Sequence, residues 1–497
     1  MTEATGPGAA KIQPRVKTAL SPIPYGPRTL GVLLASLGLL GFLALVALRL
    51  TYPFELEWME GITLFSMERL IEGQPLYAPP DFNWCPLPYG PVYFEAARLA
   101  SFAGFAGFLA PRLISVLASL GLFWLLGALA GKRRGQAPVD GTRGLVAAGF
   151  LALAYPFCGA WLDVARPDAL AFMLMLAACW NYQRTRDRPD WPGALVTVAL
   201  ALASFHTKQT ALLPLLGFFL LDLSRAKFVL LGFLAALGTS LALASVGTSG
   251  WYEFYTFDLL AGHGLHWPGA REFLSRDLVF SAPLLVLAGV GLRGSPRALI
   301  GLAVGGFLAS FLGRLHPGGY DNVLLPLVIC AAPLGARGWA QRPKLGNLML
   351  ALMLGLGLWI APGLVPSAQD RKAGEDLVQR IEGLDGGVFS PAHGALLARA
   401  GKQHQLHLMS WMDLSASDAG IEQARVLVDE LEQRLSQGDL SHALVGAPRN
   451  LAEADFVNLL RRYLPREQRL LPAQGPGAMI PVSGAAHRPE LLLSREQ

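Results

Sequence analysis

Apolar stretches of about 15 to 23 residues, the length a helix needs to cross a bilayer, recur from residue 29 to residue 366 and confine the chain to a polytopic membrane bundle. Hydrophobic side chains make up 53% of the 497 residues and charged ones only 15%. The net charge of +5 does not indicate a nucleic-acid partner, because the basic residues stand in short clusters between apolar runs, where orientation signals belong. Residues 1–28 are polar and carry Lys11, Arg15, Lys17 and Arg28. The run that follows is too long for a signal-peptide core and lacks a small-residue cleavage site, so it reads as an uncleaved first span.

Basic clusters at 132–134, 184–188, 225–227, 293–297 and 337–344, together with the N-terminus, face the cytoplasm by the positive-inside rule. Each apolar stretch between two clusters is broken near its middle by a polar patch and is therefore a hairpin that touches the outer face. The patches are Asp163 to Asp168, His206 to Gln209, a loop over about 248–277, and Arg314 to Asn322. This predicts about eleven spans, with two short helices over 193–222. Beyond residue 366 charge rises and the long apolar runs stop. Short β-like runs at 387–390, 404–409 and 442–446 alternate there with helical patterns at about 374–383, 417–436 and 451–463, which predicts a small extracytoplasmic α/β domain. The expected organisation is a cytoplasmic tail (1–28), a membrane domain (29–366) and a soluble domain (367–497). Cys85, Cys158, Cys179 and Cys330 lack CxxC spacing and read as packing residues, with a Cys85–Cys158 bridge as the alternative.

The first outer loop, 52–108, carries two amphipathic patterns. One includes Trp58, Ile62, Phe65, Leu70 and Ile71; the other covers about 91–103. Both predict helices lying along the membrane surface. On the first, Glu57 and Glu60 share a face, and Glu55 belongs to the preceding turn.

Topology brings Glu55, Glu57 and Glu60, Asp163/Arg166/Asp168, His206/Lys208/Gln209, His263/His266 and Arg314/His316/Tyr320/Asp321/Asn322 to one membrane face. A chemistry that needs both carboxylates and cations is transfer of a sugar from a lipid phosphate. A carboxylate takes the acceptor's proton, and Lys or Arg stabilises the departing phosphate. Alternatively the acids, Glu57 and Glu60, hold a divalent cation, magnesium or manganese. Each residue also has a plainer reading: solvated loop for the glutamates, headgroup snorkelling for Arg166 and Lys208, packing for His263 and His266, and an interfacial anchor for Arg314 and His316.

The segments Glu57-Trp58-Met59-Glu60-Gly61, Glu68 to Tyr77 and Pro88-Tyr89-Gly90-Pro91-Val92-Tyr93-Phe94 resemble the first periplasmic loop of the GT-C superfamily of glycosyltransferases, the polytopic enzymes related to protein O-mannosyltransferases and aminoarabinose transferases. Arg166-Pro167-Asp168, Lys208-Gln209-Thr210 and Gly319-Tyr320-Asp321-Asn322 are similar to hairpin-turn motifs of bacterial members. The resemblance implies a GT-C-like all-α polytopic bundle in the inner membrane, with a polyprenyl-phosphate-linked sugar donor. The implied acceptor is an extracytoplasmic glycan, lipid or protein, and the reaction an inverting transfer. It assigns Glu60 or Glu57 as base or metal ligand, and Arg166, Lys208, Gln209, Arg314, Tyr320, Asn322 and Tyr89 to the donor phosphate and substrate. Family members carry an acidic pair in the first loop; here Met59 precedes Glu60, so the pair is Glu57 with Glu60. A transporter or lipid flippase, or a non-catalytic envelope-assembly protein of the same fold, are the competing classes.

Overall fold

The computed structural model describes residues 26–131, 140–187 and 190–496. The basic cluster at 132–134, Arg188 and nearly all of the N-terminal tail lie outside them. Among the described residues, eight helices are long and apolar enough to cross a membrane: Pro27–Arg49, Leu109–Gly131, Gly141–Cys158, Leu223–Gly247, Trp267–Gly291, Arg297–Leu315, Asp321–Gln341 and one beginning at Pro343. Two shorter apolar helices, Trp191–Phe205 and Gln209–Leu220, follow one another in the chain, and Asp168–Thr185 packs beside the first. The chain is a multi-pass membrane protein.

The bundle closes through small residues. Helix Leu212–Leu220 meets helix Arg297–Leu315 at Gly217 and Gly301, where a Cβ on either residue would collide with the other's carbonyl oxygen. Such close backbone approach replaces the hydrophobic driving force that lipid does not supply. The predicted loop at 248–277 is instead mostly helical, running through Trp251–Glu253, a π-turn at Phe254–Asp258, Leu259–Ala261 and Trp267–Glu272. Only residues 262–266 between these helices are irregular. Its polar residues are interspersed with large apolar ones, and Tyr252, Tyr255, Leu259 and Phe273 are buried. All four cysteines are buried and free, which excludes the Cys85–Cys158 bridge.

After helix Ala368–Glu382 the chain forms a four-stranded sheet from β1 (Gly387–Phe389), β2 (Leu440–Val445), β3 (Arg466–Arg469) and β4 (Leu491–Ser494), in the order β1-β2-β4-β3. β1 and β2 are parallel, and the other pairs are antiparallel. The expected strand at 404–409 does not form. His407 instead caps helix Leu408–Ser415, its Nδ1 accepting from the Met409 N–H at 3.1 Å. β3 is polar and exposed along its whole length, so it carries no hydrophobic signal.

The first-loop helices form at Glu60–Ile71 and Val92–Phe102. The second keeps an exposed apolar edge, with Leu99 63% and Phe102 62% accessible. The first does not lie along the membrane surface: every residue from Glu60 to Met67 is buried. Trp58, Met59 and Ile62 share one core with Phe389, Leu408, Leu431, Val445 and Leu493, so the C-terminal α/β segment roofs this loop. Burial of these large side chains, about 1.5–3 kcal/mol each, fixes the seam.

Candidate active site

Helix Glu60–Ile71 begins at Glu60, one turn later than the apolar spacing predicts, so Glu57 and Glu60 do not share a helical face. Glu60 is fully buried, and its two oxygens accept from Arg112 Nε (2.8 Å), Ala165 N (2.7 Å), Leu56 N (2.7 Å) and Arg112 Nη2 (2.5 Å). Burial opposes ionisation, but the Arg112 guanidinium and the two backbone N–H groups outweigh it and hold the carboxyl below its usual range. Every acceptor position is filled, so Glu60 pins the first loop to helix Leu109–Gly131 and to the turn before Arg166.

Glu57 lies in the preceding turn, fully buried. Its Oε2 accepts from Met59 N at 3.2 Å and stands 3.7 Å from Arg166 Nη1, whereas Oε1 has no hydrogen-bond partner. Burial lifts its carboxyl to about 8, against the pull of Arg166. Gly484, at φ +71°, sits on Glu57 in a conformation that disfavours a side chain.

A cavity of about 380 Å³ opens beside this turn. Its polar wall carries Tyr89, Arg166, Lys208, Gln209, Tyr320 and Asn322. Arg166 donates from Nη2 to Tyr89 Oη at 2.9 Å, and its Nε and Nη1 have no hydrogen-bond partner. Lys208 Nζ donates to Asp168 Oδ1 at 2.7 Å; Asn322 Nδ2 donates to the same oxygen at 3.2 Å. Asp168 thus orients two cavity residues from behind. Gln209 Nε2 donates to the Pro88 carbonyl at 3.1 Å, and Tyr320 stacks on Trp161. Gly90 lets the Pro88-to-Pro91 turn press on the next one, because a Cβ there would strike the His206 carbonyl oxygen. The opposite wall is apolar and includes Leu212, Leu213, Ala309, Leu312 and Val323.

Of the sequence-predicted site residues, Tyr89, Arg166, Lys208, Gln209, Tyr320 and Asn322 converge on this cavity. Arg314 does not line it: its guanidinium donates to Asp277 at 2.7 Å, Gly319 O at 2.7 Å and Asp321 at 3.3 Å. Asp163 is tied to Arg49 at 3.0 Å. His206 bonds Tyr252 and Ser240, both at 2.8 Å. Sequence reasoning missed Asp413, which enters the cavity from helix Leu408–Ser415 beside His316. Its only local signal was an acid within an apolar helix pattern. Of the two glutamates named as metal ligands, Glu60 is saturated by cationic and N–H donors, and among the described residues there is no group of three or more His, Cys, Asp or Glu that could hold a metal ion.

The seam above Glu57 is rich in neutral imidazoles. Trp58 packs between His487 (4.1 Å between centroids) and His407 (5.2 Å), and His393 contacts Glu55 at 2.9 Å. Burial lowers all three histidines to about 3. The unfolded chain therefore takes up protons below about 6.5 that the seam refuses, and stability falls there as pH falls. Glu57 runs the other way: raised to about 8 when folded, it stabilises fully below its unfolded value, and this contribution is lost as pH rises through about 8. Unfolding temperature is expected to drop between pH 6.5 and 8.5, and Glu57→Gln to flatten that drop by about one proton, roughly 1.4 kcal/mol per pH unit. An unchanged slope in a scanning-fluorimetry series would refute this.

No protein-family model and no curated protein matches the sequence. Among solved structures, ArnT, the aminoarabinose transferase of Cupriavidus metallidurans in the apo state, superposes with a TM-score of 0.59 at 13% identity over 93% of this chain and 97% of that one. ArnT bound to undecaprenyl phosphate gives 0.48 at 13% identity over 82% of this chain and 79% of that one. The Archaeoglobus fulgidus oligosaccharyltransferase tethered with an acceptor peptide gives 0.49 at 12% identity over 88% and 71%. The apo ArnT likeness shows the fold: the chain shares the architecture of that protein.

Proposed function

We propose that this protein is a GT-C glycosyltransferase that moves a sugar, with inversion, from a polyprenyl-phosphate-linked donor to an extracytoplasmic glycan, lipid or protein. The observation that carries this reading is the amphiphilic cavity, in which Arg166 and Lys208 face a wall of Leu212, Leu213, Ala309, Leu312 and Val323. An isoprenoid chain suits the apolar wall and its phosphate the cations. Arg166 has two nitrogens without hydrogen-bond partners, and Lys208 spends one of its three N–H donors on Asp168. A phosphate is a good leaving group that needs cationic stabilisation more than protonation, and these donors supply it where charge develops.

The eight long helices, the two short ones and Asp168–Thr185 are read as eleven crossings. With the N-terminus cytoplasmic by the positive-inside rule, this reading has the cavity at the outer leaflet of the inner membrane and the C-terminal α/β domain, residues 367–497, outside. A C-terminal reporter that reads as cytoplasmic would overturn this orientation. The activity is tested by incubating purified protein with a panel of polyprenyl-phosphate sugars and candidate acceptors and following release of the lipid phosphate. Transfer from one donor class is expected. Translocation of labelled lipid in proteoliposomes without any transfer would favour the flippase class instead.

A further inference from the structure

His316 and Asp413 line the cavity outside the phosphate-facing set, and His263 stands against both. His263 Nδ1 is 3.2 Å from His316 Nε2; His263 Nε2 is 3.1 Å from the Asp413 carbonyl and 3.8 Å from its Oδ1; His316 Nδ1 is 2.7 Å from the Pro317 carbonyl. Carbonyl oxygens only accept, so both outer nitrogens carry protons. The inner nitrogens bond only when one is protonated and the other is not. Burial and the adjacent ring lower His316. The His263 ring faces the Asp413 carboxylate, and both side chains are nearly sealed, at 3% and 5% exposure.

We propose that Asp413, held by the proton-sharing pair His263 and His316, is the base that takes the proton from the acceptor. This rests on the glycosyltransferase reading above. Asp413 and His316 line the same cavity as Arg166 and Lys208, so an acceptor hydroxyl lying against Asp413 shares the cavity with the donor phosphate. In the step, the acceptor O–H bond breaks as its oxygen bonds the anomeric carbon. The carbon–oxygen bond to phosphate breaks with its electron pair leaving on the phosphate, and the proton ends on Asp413. The groups acting on Asp413 are His263 from the 262–266 turn, Arg166 across the cavity and the Cys85 thiol from the first loop. Independently of that geometry, burial lifts the Asp413 carboxyl to about 7 despite Arg166, near the value suited to a base at neutral pH. His263 and His316 are positioning residues.

The test uses the full-length protein in detergent with whichever donor and acceptor the panel assay identifies, and undecaprenyl phosphate as the binding probe. Asp413→Asn is expected to lose about 100-fold or more in kcat while binding undecaprenyl phosphate like wild type, which also shows that it is folded; Asp413→Glu recovers part of the rate. His263→Gln removes the ring that bonds both His316 and the Asp413 backbone, so kcat falls and the acid limb of its pH profile moves while undecaprenyl phosphate binding holds. A folded Asp413→Asn variant within threefold of wild type overturns the assignment of the base alone. An acid limb unmoved by His263→Gln overturns the proton-sharing pair. Wild type that transfers from no donor overturns the glycosyltransferase reading and the base with it.

Discussion

Replacing Arg112 with alanine is expected to prevent accumulation of folded protein. The Glu60 carboxylate would stay buried without its cation, and the Tyr52 and Phe54 carbonyls would lose their donors, each now 2.6 Å from Arg112 nitrogens. Removing one partner of a fully buried ion pair costs about 3–5 kcal/mol, a large share of the stability of most domains. Fluorescence-detected size exclusion of detergent extracts should give an aggregated or absent peak for Arg112→Ala. The paired change Arg112→Met with Glu60→Met should recover part of the signal, since it buries no lone charge, while still leaving the Leu56 and Ala165 N–H groups unmatched. A monodisperse Arg112→Ala protein unfolding within a few degrees of wild type would show that Glu60 does not pin the loop.

Arg166→Ala should have the largest effect on turnover. It removes the guanidinium aimed into the cavity and also the one cation beside Glu57, whose carboxyl then rises beyond its present value of about 8 and stays protonated at neutral pH. Loss of one preorganised donor to developing charge costs about 100- to 1,000-fold in kcat. Arg166→Lys keeps the charge but not the fork to Tyr89, so it should recover only part of that loss. Arg314→Ala provides the contrast: it exposes Asp277 to the loss of its partner and should lower the unfolding temperature, yet whatever folds should turn over near the wild-type rate. Initial rates at saturating donor separate the two. A folded Arg166→Ala enzyme within tenfold of wild type would remove Arg166 from the phosphate site.

Much of this arrangement is legible in the sequence, because the bilayer imposes a one-dimensional rule. Apolar length marks the helices, and polar breaks at the hairpin turns mark where cations can gather. Tyr89, Arg166, Lys208 and Asn322 were found together for that reason. Charge at a turn does not say which partner it meets, however. Arg314 and Lys208 are alike in sequence, but Asp277 and Asp321 claim the first, whereas Asp168 leaves the second at the cavity. Helical spacing placed Glu57 and Glu60 on one face because it cannot locate the first residue of a helix. Leu56 N–H bonding back to the Glu60 side chain fixes that start. Asp413 was invisible for a different reason: its burial comes from packing against the 262–266 turn and the first loop, contacts distant in the chain.

The last strand-like turn of the protein is stitched to its first span. Ser483 Oγ accepts from Arg49 across 434 residues of sequence, and the Ser483 N–H donates to the Leu56 carbonyl. At ribosomal speeds of about 5–20 residues per second, the first loop must wait roughly 20–90 s after its own synthesis before that stitch can close. Through that interval Trp58 and Glu57 have no roof. A newly made chain thus inserts most of its helices with this turn uncovered, and the turn closes only once Ser483 has been made.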